Sequence, residues 1–510
     1  MRCKRRDILG LLAAGGATLT LPAFLAGCGV TAATRPAATV PENPFLQWFA
    51  LDEAALRRVL AELSALGGER GEVYFQHRRS ALVKMQDGEV TGAETRISQG
   101  AGLRVVAVGR VGFAATAELT LPALIAAARE AAAAARGAGP SAAAAERFAH
   151  AHAGLHEVAV PWSEVGAGRK QALLERATEI AREADPAVAT VSAQLADVDE
   201  RILIATLDGR LLSESRPLTR LSMQVTAEKR GRARSGFASL SGRRGIDWYS
   251  DERIDGVAQE AVTRALVLFD ARPAPAGELP VVLAAGASGV LLHEAVGHAF
   301  EADFIAEGTS PWAGMLGQRV AAPFVTVVDQ GSLPHERGAL GRDDEGAECT
   351  RTALVEDGVL RAYLHDGQSA ARHEVAPTGS ARRESWRHPP LPRMTCTFME
   401  RGPHTREEIV ASVERGILAE AFTGGEVTLG EGSFRFRVTN GWLIEKGKVT
   451  APLAGAWLSG NGPEMLGNID MVAADRELDP GGWTCGKKGQ RVPVSHGMPT
   501  VRVSRLAVEA

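Results

Sequence analysis

The stretch Leu291-Leu292-His293-Glu294-Ala295-Val296-Gly297-His298-Ala299-Phe300-Glu301-Ala302-Asp303 constrains the backbone more than any other part of the chain. Two histidines, an adjacent glutamate and two further carboxylates fall close together in it. Neutral imidazole is the commonest side-chain ligand of a catalytic transition metal, and a neighbouring carboxylate can take a proton from water held by the metal. In the familiar His-Glu-x-x-His helix the two ligands stand four apart, on one face. Here the second histidine comes five positions after the first. A regular α-helix would separate such side chains by about 140°. A π-type turn, at about 4.4 residues per turn, returns them to within roughly 50°. The spacing therefore predicts a metal site on a locally unwound helix, with Gly297 where a distortion costs least. The alternative is two satisfied histidines on an ordinary helix. Upstream, Leu279–Ala285 reads as a buried strand, and Gly286-Ala287-Ser288 as a turn with a serine N-cap. The motif would then stand at a strand-to-helix junction.

The rest of the chain is read from periodicity and turn chemistry. Residues 46–270 form an expected N-terminal α/β scaffold domain. Leu51–Leu66 has helical apolar spacing, and Leu121–Arg136, Arg169–Ala184 and Asp255–Leu268 are further helices. Asp87-Gly88 and Asp208-Gly209 each sit between alternating segments and predict hairpins. Ala142–Ala153 reads as an alanine-rich linker, with His150, His152 and His156 in or near it and exposed. The only basic run, Lys229 to Arg234, reads as a solvated hairpin end, with an acidic peptide or lipid headgroup as the other possibility. A Pro/Ala-rich change of composition at 271–276 marks the boundary, and residues 276–510 form the second domain. Its last hundred residues read mostly as strands with tight turns. No regular βαβ alternation is visible, so the expected class is α+β (mixed α/β): two domains rich in antiparallel hairpins rather than a doubly wound sheet.

The motif and its surroundings resemble the TldD branch of the TldD/PmbA metallopeptidases. His293-Glu294-Ala295-Val296-Gly297-His298, with Glu301 and Asp303, is similar to the family signature. Arg337-Gly338-Ala339-Leu340, Asp343-Asp344-Glu345-Gly346, Pro377-Thr378-Gly379 and Arg382-Arg383-Glu384-Ser385 are similar to family blocks in the same order. So are Gly424-Gly425-Glu426-Val427, Leu443-Ile444-Glu445-Lys446-Gly447 and Cys485-Gly486-Lys487-Lys488-Gly489-Gln490. In the first half Gln99-Gly100-Ala101-Gly102-Leu103-Arg104 and Gly112-Phe113-Ala114 match too. Ala302 stands where the family pattern usually has glycine.

Of five cysteines, Cys3 and Cys28 lie near the N-terminus, leaving Cys349, Cys396 and Cys485. Three is odd, so one thiol stays free even if Cys349 and Cys396 pair. Cys485 lies in a glycine-rich stretch where backbone can approach an ion and nearby lysines favour thiolate. A buried, inert cysteine is the other reading. The resemblance implies that Cys485 is the third metal ligand, joining His293 and His298 around one Zn2+ with an open fourth position. It implies a zinc metallopeptidase acting on unfolded or small peptides, with Glu294 as general base. Glu301 and Asp303 would orient a histidine or shape the site, and Arg383 and His496 are weaker candidates for substrate or oxyanion contacts. It also implies a dimer, with itself or with a related subunit lacking the motif. A second class stays open: a non-catalytic peptide-binding or assembly subunit with a structural metal. A variant of that second reading makes Cys485 a nucleophile with His496 as its base.

Residues 1–27 read as a signal peptide. Lys4-Arg5-Arg6 precedes an apolar stretch ending in Leu25-Ala26-Gly27-Cys28, which resembles a twin-arginine signal with a lipobox. Cys28 would carry the lipid, and the Pro/Ala/Thr-rich residues 28–45 would be a flexible linker. The expected location is the bacterial cell envelope, lipid-anchored on the periplasmic face; an uncleaved membrane helix is the alternative. A formal net charge of −4 argues against nucleic acid as a partner.

Overall fold

A computed structural model of the protein describes residues 44–510, apart from 108, 137–141 and 429–430. The expected signal, Cys28 and most of the linker lie outside the described residues. The linker ends earlier than expected, because Pro44–Trp48 is already helical and Phe45 is fully buried. None of the described helices is long and apolar enough to cross a membrane.

The first sheet grows from the Asp87-Gly88 turn, whose residues take φ of 53° and 92°, the left-handed pair that a two-residue hairpin needs. Arg70–Gln86 pairs with Glu89–Ala107 on one side and Val188–Thr206 on the other. The sheet has eight strands among the described residues. It includes Arg232–Gly242, unassigned in the sequence, which turns back from Leu218–Lys229 at Arg230-Gly231, so the basic run is a hairpin end. Alternation along Arg70–Gln86 sends Val73 and Phe75 under the helices Glu53–Ser64 and Leu121–Ala135. Helices Ala167–Ala184 and Asp251–Leu266 cover the other part of the sheet, over Val191, Leu195 and Met223.

The expected linker contains a strand, Ala149–Ala153, parallel to Arg210–Ser215. His156 is buried rather than exposed: its Nε2–H donates to the Ala339 carbonyl at 3.1 Å and its Nδ1 accepts the His335 N–H at 3.3 Å. Alanine-rich composition concealed this, because small side chains suit a half-exposed edge strand as well as a linker.

The opposite face of the first sheet turns Tyr74, Ile202, Ile204 and Leu212 toward Trp386 of the second half. Polar residues on that face form a buried network. Arg104 donates to Glu72 at 2.8 Å and to Glu345, Arg383 donates to Glu72 at 2.9 Å, and Arg216 donates to Glu214 and Asp344 at 2.9 and 2.6 Å. From Pro44 on, the described chain is thus one compact unit.

The second half holds two larger sheets. In one, Gly277–Leu283 runs centrally, parallel to Arg415–Thr428 and antiparallel to Val501–Glu509. In the other, Val327–Gln330 and Cys396–Met399 lead to Gln490–Met498. One apolar core takes in Val281, Ile417 and Phe434 from the first and Val327 and Met399 from the second. Leu291, Leu292, Ala295, Val296 and Phe300 of the motif segment lie in this core. The fold is α+β and strand-rich.

Candidate metal centre

Gly277–Leu283 delivers the chain to Gly286, whose φ of 79° turns it into the motif segment. Ser288 stands at the start of that segment, but its hydroxyl caps no N–H, contrary to expectation. The segment passes through three hydrogen-bonding patterns: a short α turn at Gly289–Leu291, a π-helix at Leu292–Gly297 and a 3₁₀ turn at His298–Phe300. The His298 N–H donates to the His293 carbonyl five positions back. The wide turn brings the two imidazole centroids to 5.1 Å, with planes at 79°. Gly297 has ordinary helical angles, φ −65° and ψ −45°. What requires glycine there is packing: a Cβ would lie 2.1 Å from Met394 Sδ.

The third donor arrives from far along the chain. Cys485 sits in strand Trp483–Lys487, opposite Val492 of Gln490–Met498, and the pair turns at Lys488-Gly489. The glycine-rich stretch is therefore a β-hairpin rather than an open loop. Cys485 Sγ lies 3.1 Å from His298 Nε2. One donor atom from each of His293, His298 and Cys485 falls within 4.8 Å of the others, and all three residues are buried. The neighbour of the thiol is His298, not His496, which removes the geometry for a Cys485–His496 nucleophile pair.

Charges around these atoms follow from burial and contact. Burial, with His298 and His496 nearby, pushes His293 well below the ordinary histidine value, so its ring is neutral. Among the described residues neither of its buried nitrogens has a hydrogen-bond partner. An orphaned neutral imidazole facing a second imidazole and a thiol is a donor set that suits zinc. Burial alone would raise the Cys485 thiol, but His298 and Arg393 outweigh it and hold it below its usual value. Burial opposes charge on His298 too, yet Cys485 on one side and Glu301 on the other raise it well above normal. The two shifts favour opposite charges on His298 and Cys485, and metal binding by such donors is coupled to loss of a proton.

Glu301, fully buried, accepts from His298 Nδ1 at 2.8 Å, from Lys487 Nζ at 2.8 Å and from the Met394 N–H at 3.2 Å. The first of these bonds leaves Nε2 of His298 facing Cys485. Burial opposes its charge, but His298 and Lys487 hold Glu301 well below the usual carboxylate range. Lys487 also donates to Asp303 at 2.6 Å, so this lysine serves the two carboxylates and not the thiol, contrary to the expectation that it would favour thiolate at Cys485. Glu294 is 23% exposed at its side chain, with Oε2 3.8 Å from His298 Nε2. Burial, only partly offset by His298, raises its carboxyl above the usual value.

His496 is buried with its ring 6.1 Å from that of His293 and 5.4 Å from Trp483. Its two nitrogens lack partners among the described residues, and burial pushes it down to about 4. It borders the donor set without joining it. Arg383 stands in the junction network, bonded to Glu72 and Asp344 and stacked 4.5 Å over Tyr74. Arg393, which donates to Cys485, carried no signal in the sequence because no spacing or motif surrounds it.

The chain is similar to known metallopeptidases along most of its described length. Residues 71–135, 160–269 and 276–510 match, respectively, domain 1, the central domain and the C-terminal domain of the PmbA/TldA metallopeptidases. The metalloprotease TldD homolog of Haemophilus influenzae is 39% identical over 452 residues, covering 86% of this chain and 92% of that protein. The zinc metalloprotease TldD homolog of Saccharolobus solfataricus is 33% identical over 234 residues, covering 46% of this chain and 52% of that one. Crystalline TldE from Thermococcus kodakarensis shares the fold, with a TM-score of 0.70 at 18% identity over 89% of this chain and all of its own. The chain belongs to the PmbA/TldD metallopeptidase family.

Proposed function

We propose that this protein is a zinc-dependent peptidase in which His293, His298 and Cys485 hold the ion and Glu294 moves the proton. The observation that carries the reading is the convergence of three buried donors, two on a π-turn and one 187 residues further along the chain, beside a carboxylate that is still partly open to solvent. When bound there, zinc supplies Lewis acidity for the scissile carbonyl and lowers the pKa of water. Glu294 accepts the proton of the attacking water at a carboxylate oxygen and returns it to the leaving amine. Its raised pKa brings it closer to neutrality, where a general base both accepts and gives back a proton readily. Glu301, gripped by Lys487, holds the His298 ring in place through Nδ1. In this reading His496, buried beside His293, offers an N–H to charge developing on the substrate.

The substrates in this reading are unfolded or small peptides, which can lie extended along strand edges. The active protein is a dimer, with itself or with a related subunit lacking the motif, tethered by a lipid on Cys28 to the periplasmic face of the cell envelope. The basic and apolar pattern of residues 1–28 supports the anchor. The test is metal analysis of the purified mature chain, combined with turnover of an unfolded peptide before and after chelation. One bound zinc with chelator-sensitive cleavage is expected. Zinc without cleavage would instead assign the chain to the non-catalytic binding class. Cleavage that resists chelation but yields to thiol alkylation would overturn the metal mechanism.

A further inference from the structure

Arg393 follows the short strand Leu391–Pro392 and has no exposed surface. Its Nη2 donates to the carbonyl oxygen of Cys485 at 2.8 Å and to Cys485 Sγ at 3.1 Å, and its Nη1 donates to the Gln490 carbonyl at 3.3 Å. All three acceptors belong to the hairpin that carries the thiol. Among the described residues no carboxylate pairs with this guanidinium, and its Nε–H has no partner. Lys487, the other buried cation beside the centre, is by contrast held by Glu301 and Asp303.

A guanidinium removed from water needs an anion to face. Among the described residues, the group bonded to Arg393 that can carry negative charge is the Cys485 sulfur. Arginine suits the task because its planar fork fixes the directions of its N–H bonds, so gripping the carbonyl and the sulfur of one residue sets the angle between them. A lysine would supply charge without that geometry.

We propose that Arg393 is a positioning residue for the metal centre. It locks the Cys485 side chain against its own backbone, aims the sulfur at the two imidazoles, and withdraws electron density from it through the N–H···S bond. A thiolate so held donates less strongly and leaves a bound metal the better Lewis acid, which matters for catalysis rather than for structural binding. This inference rests on the assignment of Cys485 as a ligand, and its test separates the two.

The experiment uses the full mature chain loaded with zinc or cobalt(II), as wild type, Arg393→Met and Arg393→Lys. The sulfur-to-cobalt charge-transfer absorption reports electron density on the sulfur directly. Loss of the N–H···S bond moves this band to lower energy in R393M, and by a smaller amount in R393K, which keeps the charge but not the fork. Zinc affinity, read by competition with a chromophoric chelator, falls about tenfold or more in R393M, because misorientation of the sulfur outweighs its stronger donation. R393K recovers part of that loss.

An arginine that only braces the hairpin would lower the melting temperature and leave the band where it is. A band unmoved in either folded variant overturns the proposal, and R393K decides if R393M does not fold. Wild-type protein that binds neither zinc nor cobalt overturns the metal-site reading itself. Wild type that binds both, with variants indistinguishable from it, overturns only the role given to Arg393.

Discussion

Replacing Lys487 by methionine tests whether the charges behind the centre are as tightly coupled as their geometry implies. The lysine side chain is fully buried, and Nζ donates to Glu301 at 2.8 Å, Asp303 at 2.6 Å and the Pro392 carbonyl at 2.9 Å. Methionine fills most of the stem's volume, so packing against Phe304, over whose ring Nζ lies at 4.5 Å, is largely kept. What disappears is one of the two cations facing a fully buried Glu301, while His298 stays at 2.8 Å and helps to keep the cost low. Removing one partner of a buried ion pair costs about 3–5 kcal/mol, because the other charge is left uncompensated. Asp303 is 17% exposed at its side chain and keeps Lys488 at 3.1 Å, which softens the loss. The lower end, about 3 kcal/mol, is therefore expected, a shift of more than a hundredfold in the unfolding equilibrium. The neighbouring Lys488→Met is the control. Lys488 reaches Asp303 and Glu307 from a side chain 43% exposed, and an exposed pair contributes about 0–1 kcal/mol. Urea unfolding of the two variants against wild type, followed by tryptophan fluorescence, gives the difference. Variants within about 1 kcal/mol of each other would refute the claim that the Lys487 pairing is a buried one in energy as well as in position.

Three more outcomes can be measured. Glu294→Gln should keep its metal, since no ligand is altered, and lose about 10²–10⁴-fold in peptide turnover; unchanged turnover would remove Glu294 as the proton carrier. Gly297→Ala should destabilise by about 1–3 kcal/mol through its clash with Met394 Sδ, and Met394→Ala in the same chain should relieve part of the cost; a neutral single variant would contradict the packing. His156, held down to about 2 chiefly by burial, must stay neutral in the folded protein. Below its unfolded value near 6.5 the unfolded chain takes up the proton that the folded chain refuses. Stability should therefore be full above that pH and fall by up to about 1.4 kcal/mol per unit as pH drops below it. In urea titrations from pH 7.5 to 5, His156→Asn should flatten that slope, and equal slopes would refute it.

Local chemistry determined much of this protein. Turn pairs such as Asp87-Gly88 and Asp208-Gly209 set hairpins from their own backbone preferences, and apolar periodicity set the helices Glu53–Ser64 and Leu121–Ala135. The five-residue histidine spacing demanded a widened turn, and the π-helix at Leu292–Gly297 is that turn. Such features are legible because their causes lie within a few residues of one another. The burial of His156 and the strand hidden in the alanine-rich segment were not, since each depends on a distant partner. The strand Arg232–Gly242 pairs with its own neighbour, but its small and polar residues give little apolar alternation to read. The same holds at the centre. Composition around Cys485 suggested that lysines would favour its thiolate, whereas in space Lys487 faces Glu301 and Asp303, and His298 and Arg393 face the sulfur. Which charge meets which across 92 or 187 residues is decided by how the sheets pack, because electrostatic energy depends on separation in space and carries no trace in local sequence.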